Sequence, residues 1–150
     1  MVLIAQKKYT YLSYLPDQQT TSQKLPLIVY LHGSSQRGNN LEQLKTYGLP
    51  KYLEQGGKVN ALVVAPQCPS GLLWDTEDWF PAFLKELQQK FSIDTDRIYL
   101  TGVSMGGGGT FEIAKKYPHV FAAIAPLCAW QSSTQNLCKL SKIPIWTLHG

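Results

Sequence analysis

An α/β fold built on a mainly parallel sheet is what this sequence predicts, and three observations predict it. Short unbroken apolar runs recur at 27–31, 61–65, 97–101, 121–126 and 143–148; helical patterns lie between them; and one run ends in a glycine–serine turn that leads into a helix. Strands covered on both faces need such runs, whereas a strand with one wet face alternates. The stretch 7–15 does alternate, tyrosine and leucine against polar residues, and a loop opens at Pro16 and Asp17. It reads as a half-buried antiparallel strand forming an opening hairpin.

The helical segments follow the same logic. Asn39 and Asn40 are cap candidates for a helix over 41–47, and Gly56-Gly57 closes another over 50–55. Over 79–91, Trp79, Phe80, Phe83, Leu84, Leu87 and Phe91 share one face, with Pro81 in the first turn where its missing N–H does no harm. A fourth helix runs over 105–117 and stops at Pro118. Strands alternating with helices imply right-handed crossovers, so a ligand should meet the sheet at the carboxyl ends of its strands.

Composition narrows the class. With 150 residues, 44% of them hydrophobic and 16% charged, the sequence can build one domain over 1–150 with a real core. The net charge of +4 comes from scattered lysines, which suits a solvated surface and not a nucleic-acid footprint. The apolar start runs into Gln6, Lys7 and Lys8, too short for a signal-peptide core or a membrane span, so the expectation is a soluble, unprocessed, cytoplasmic protein. Cys68, Cys128 and Cys138 have neither CxxC nor metal-type histidine spacing; reduced thiols are expected rather than a Cys128–Cys138 bridge, with no metal and no cofactor.

The chemistry sits in Gly102-Val103-Ser104-Met105-Gly106, a G-x-S-x-G between a predicted strand and a predicted helix. Such a pentapeptide arises by chance in about one chain in twenty of this length, so its placement carries the argument. A serine lifted on a sharp strand-to-helix turn needs small neighbours two residues before and two after, which Gly102 and Gly106 provide. The helix behind it aims free N–H groups at the serine, where an anion can develop. The bland alternative is a glycine-rich helix start that merely packs tightly. No lysine follows Gly106 to Gly109, so a phosphate-binding loop is excluded.

A second motif closes the first apolar run, His32-Gly33-Ser34-Ser35-Gln36-Arg37-Gly38. Acyl transfer needs two preorganised backbone donors for its oxyanion, one after the nucleophile and one from this loop; Met105 and Ser34 are the candidates, with Gly33 letting the main chain turn inward. His32 is expected to brace the loop and not to act as the base.

With these motifs the chain resembles the phospholipase/carboxylesterase and predicted-peptidase branch of the α/β hydrolases, near dienelactone-hydrolase-like and polyhydroxybutyrate-depolymerase-like esterases. The likeness covers nearly everything after Tyr11 and extends to Ala65-Pro66-Gln67-Cys68-Pro69, the 94–102 stretch, Tyr117-Pro118 and Ile143 to Gly150. It implies an α/β-hydrolase fold, a mainly parallel sheet flanked by helices, here lacking the last strand and helices. It also implies a serine esterase that acts on a small-molecule ester through an acyl-enzyme on Ser104.

In that family an aspartate and then a histidine follow the strand that ends in His149-Gly150, so both are expected downstream of Gly150. Inside the chain, His149 is on the right side but badly directed, and His119 belongs at the far end of its helix. Asp75, Glu77 and Asp78 read as solvated loop charges, and Asp94 and Asp96 lie at the wrong end of the elbow strand. Trp74, Trp79 and Trp130 can line an acyl pocket or serve as core, and core is the reading burial habits favour. The competing function is a truncated, noncatalytic relic or binding module that associates through an exposed apolar edge at 143–148.

Overall fold

The computed structural model describes residues 9–17, 24–130 and 133–150. Five strands, β1 (Tyr11–Tyr14), β2 (Leu25–Leu31), β3 (Leu62–Pro66), β4 (Ile93–Val103) and β5 (Ala123–Leu127), form one sheet in the order β1-β3-β2-β4-β5. β2, β3, β4 and β5 run parallel, and β1 is antiparallel to β3. Three strands with unbroken apolar runs, β2, β3 and β4, take the centre, while β5 lies at the margin beside β4: Leu27, Val29, Leu31, Leu62, Val64 and Leu100 are all at 0% exposure. Each such side chain contributes about 2 kcal/mol on burial.

The helices are α1 (Gly48–Glu54), α2 (Phe80–Lys90) and α3 (Met105–Lys116). α2 carries the expected apolar face, burying Phe80, Phe83 and Leu87, with proline in its first turn. Tyr9 stacks on Trp79 at 4.5 Å and Trp79 lies 5.4 Å from Trp74, so these two tryptophans are core.

Three expectations need correction. The opening strand does not make a hairpin with β2: it pairs with β3, Tyr11 opposite Pro66 and Tyr14 opposite Val63. Both edges of β2 are occupied by β3 and β4, and an alternating strand with one wet face belongs at the sheet margin. Positions 7–8 of that prediction lie outside the described residues. The segment 41–47 is a 3-10 helix, Leu41–Thr46, capped by the Asn40 side chain, which accepts the Glu42 N–H at 3.1 Å. Only Leu44 of it is buried, so no long apolar stripe demands a full α-helix.

The run 143–148 forms no regular strand. It touches β5 through two isolated parallel bridges, Ile145 to Ile124 and Leu148 to Leu127. Its backbone follows β5, with the Trp146 N–H donating to Ile124 O at 3.0 Å and the Cys128 N–H to Leu148 O at 2.8 Å. Ile145, Trp146 and Leu148 are nevertheless 41%, 73% and 58% exposed, because nothing described packs over them.

Candidate functional site

The site grows from one backbone irregularity. Between β4 and α3, Ser104 holds φ 56° and ψ −114°, a conformation that side-chain-bearing residues avoid and that costs roughly 1–3 kcal/mol. Backbone bonds on both sides enforce it: the Ser104 N–H donates to Leu127 O at 2.9 Å, and its carbonyl accepts N–H bonds from Gly108 at 3.0 Å and Trp130 at 3.2 Å. Glycine is obligatory around it because strand and helix nearly touch. A side chain at Gly102 would strike the carbonyls of Gly106 and Leu31, and one at Gly106 those of Leu31 and His32. Gly107, Gly108 and Gly109 face Leu127, Trp130 and Trp74 just as closely, so the first turn of α3 is hemmed in on every side. Tight packing and an exposed serine thus coexist: Ser104 itself is only half-buried.

The second expected loop sits opposite. A side chain on Gly33 would stand 3.9 Å from Ser104 Cβ and 3.7 Å from the Val103 carbonyl, which places the chain after β2 directly beside the Ser104 turn. Ser34 opens a 3-10 turn, Ser34–Gln36, and is exposed, whereas Met105 is buried at the first helical position. Among the described residues, no acceptor takes up the N–H of Ser34 or of Met105. Two backbone donors are therefore unspent beside a strained serine.

Buried amides and rings hold that loop still. His32 is 1% exposed; its Nε2 accepts the Cys68 N–H at 2.9 Å, so Nδ1 carries the proton and donates to Gly33 O at 2.6 Å. Burial pulls its pKa down to about 4, against the opposing Gly33 bond and with help from the Arg37 charge. The ring is neutral and spent on bracing, as the sequence implied. Trp74 Nε1 donates to His32 O at 3.0 Å, and Arg37 donates to the Ser34 and Leu72 carbonyls, each at 3.2 Å.

Two residues that the sequence reading did not single out complete the brace. Gln36 Nε2 donates to Gln43 O at 2.8 Å, while Gln67 Nε2 donates to the carbonyls of Gln36 and Asn40, each at 2.9 Å. A signal existed: Gln67 directly follows an apolar run, where a buried amide needs hydrogen-bond partners, and at 2% exposure its Nε2 finds two carbonyls while its Oε1 meets no partner among the described residues.

The remaining candidates scatter. His119 is exposed beyond the far end of α3, and His149 is exposed past the bridge at Leu148. Asp75, Glu77 and Asp78 are exposed, with Asp78 accepting the Tyr117 hydroxyl. Asp94 accepts from Arg97 Nε at 2.7 Å at the amino end of β4. Trp130 is 50% exposed beside the elbow, unlike its two buried counterparts. Cys68, Cys128 and Cys138 form no disulfide, and the described residues hold no cluster of three or more acidic, histidine or cysteine side chains that could bind a metal. No helix among them is long and apolar enough to cross a membrane.

The fold is shared with known proteins. The structure superposes on a thermostable esterase with a TM-score of 0.73 at 28% identity, covering 91% of this chain and 41% of that one. This chain belongs to the α/β-hydrolase superfamily. The chain is also similar to the bifunctional acetylxylan esterase/xylanase XynS20E of Neocallimastix patriciarum, 32% identical over 135 residues. That match takes in 83% of this chain and 19% of the relative. A family described as PET hydrolase-like matches residues 84–148. The acetyl xylan esterase of Aspergillus awamori shares the fold, with a TM-score of 0.62 at 20% identity over 84% of this chain and 50% of that one. This α/β-hydrolase chain thus spans half or less of the length of these proteins.

Proposed function

We propose that the protein is a serine carboxylesterase-type hydrolase of small esters. Ser104 Oγ attacks the ester carbonyl carbon, its proton passes to a general base, and the carbonyl oxygen becomes an oxyanion held by the Ser34 and Met105 N–H groups. Collapse expels the alcohol with that proton and leaves an acyl-enzyme; water then attacks the acyl carbon and frees the serine. One observation carries this reading: a solvent-reaching serine is held at φ 56° beside two unspent backbone N–H groups. Strain of that kind persists where the surroundings over-determine it, and here they do so at the carboxyl edge of a parallel sheet.

The base and its acid come, in this reading, from sequence beyond Gly150. His32 is engaged at both ring nitrogens, and His119 lies at the opposite pole. The name of XynS20E favours an ester of a carbohydrate hydroxyl as the natural substrate.

The test is fluorophosphonate labelling of the full-length protein. Wild type should acquire the label on Ser104 and the Ser104→Ala form should not; a folded wild type that stays unlabelled sinks the proposal. A second reading, a noncatalytic module that associates through its apolar margin, draws on the exposure of Ile145, Trp146 and Leu148. It expects no labelling together with concentration-dependent self-association by sedimentation.

A further inference from the structure

The peptide unit that carries the Ser34 N–H also contains the Gly33 carbonyl, and in a planar trans peptide the two point in opposite directions. Whatever holds Gly33 O therefore aims the Ser34 N–H. Gly33 O accepts the Gln36 N–H at 3.2 Å, closing the 3-10 turn Ser34–Gln36, and also accepts from His32 Nδ1 at 2.6 Å. Gln36 is held in its turn from the sheet, because its own carbonyl accepts from Gln67 Nε2 at 2.9 Å.

Gln67 is the fixed end of this chain of bonds. It directly follows β3, and its backbone N–H donates to Thr10 O at 2.8 Å, which continues the pairing of β3 with β1. Nε2 donates a second time, to Asn40 O at 2.9 Å, so one amide spans the loop from Gln36 to Asn40. Both amide hydrogens are spent on that loop, while Oε1 meets no partner among the described residues. Turning the amide over would set Oε1 against two carbonyls, and at 2% exposure the side chain has no route to water, so its orientation is fixed.

We infer that Gln67 is a positioning residue for ester hydrolysis: acting through Gln36, it sets the direction of the Ser34 N–H and thereby favours the oxyanion over the bound ester. The inference rests on the hydrolase reading above. A planar ester carbonyl gains little from a donor placed for the tetrahedral oxyanion, so a misaimed Ser34 N–H costs turnover and spares ground-state binding. A side chain that only stabilised the fold would change the fraction of folded protein and leave each folded molecule as active as before.

The experiment uses the full-length protein with para-nitrophenyl acetate as substrate, a fluorophosphonate carried to its labelling endpoint to count competent sites, and phenylboronic acid as a tetrahedral mimic. Gln67→Met keeps the length and removes both donors; kcat per labelled site should fall about ten- to a hundredfold with KM within about twofold, and boronate binding should weaken in parallel with kcat. Gln67→Glu, whose buried carboxyl stays protonated and keeps one O–H donor, should fall between the two. An unchanged kcat per labelled site in the folded methionine form, or a loss confined to KM, overturns the positioning role. Should the methionine form not fold, an unchanged kcat per labelled site in the glutamate form does the same. A wild type that neither hydrolyses the acetate nor takes the fluorophosphonate overturns the hydrolase reading itself.

Discussion

The corner around Ser104 and the stretch beyond β5 are both apolar in sequence, yet they are opposite in structure. Around the elbow, glycine positions meet backbone carbonyls, His32 is bonded at both ring nitrogens, and Gln67 ties two turns of the loop together. Beyond β5, Ile145, Trp146 and Leu148 lie along the sheet with their side chains in water. Hydrophobicity alone set neither outcome. What differs is cover: the elbow is enclosed by α3, the loop after β2 and the Trp74 segment, while the described residues offer nothing to lie over 145–148.

The sharpest way to test this contrast is at its centre. Ser104→Ala should abolish ester turnover in the full-length protein, a fall of about a millionfold if the triad logic of serine hydrolases applies, measured by steady-state kinetics. Gly106→Ala should cost about 3 kcal/mol in denaturant unfolding, because the new methyl meets the Leu31 and His32 carbonyls, which are backbone and cannot swing aside. A loss under about 1 kcal/mol would mean that the elbow has slack the structure does not display.

His32 gives the contrast a pH dependence. Its folded pKa of about 4 lies below the ordinary imidazole value of 6.5, so the unfolded chain binds more protons between those values and stability rises with pH there. The contribution is fully present above pH 6.5 and is lost as pH falls through 4; the shift corresponds to about 3 kcal/mol, read from chemical denaturation midpoints across that window. His32→Gln should flatten the profile. At the other extreme, Trp146→Ser should change stability by no more than about 0.5 kcal/mol, since its ring is 73% exposed. A larger loss would show that the margin beyond β5 is covered in solution, and the contrast would fail.

How much of this could be read in advance follows the same line. The parallel order of the central strands was legible because runs such as 27–31 and 97–101 can survive only where both faces are covered. Ser104, Gly102, Gly106 and Gly33 were legible because a sharp turn at close approach leaves few residue choices. The partner of β1 was not, since an alternating strand fits either margin and the sequence does not say which neighbour has a free edge. Nor was the fate of 143–148, whose burial depends on cover and not on its own composition. Gln67 escaped notice because its role lies in carbonyls 27 and 31 residues away, and Gln36 because its partner carbonyl at Gln43 is brought near only by the fold of its own loop.

One residue, Ser104, belongs to two secondary structures at once: its amide continues the ladder toward β5 and its carbonyl opens the first turn of α3. A hinge at that point would have to unpick strand and helix together. The Ser104 backbone is therefore a fixed post, and any change of shape near it must be left to the chain segments standing around it.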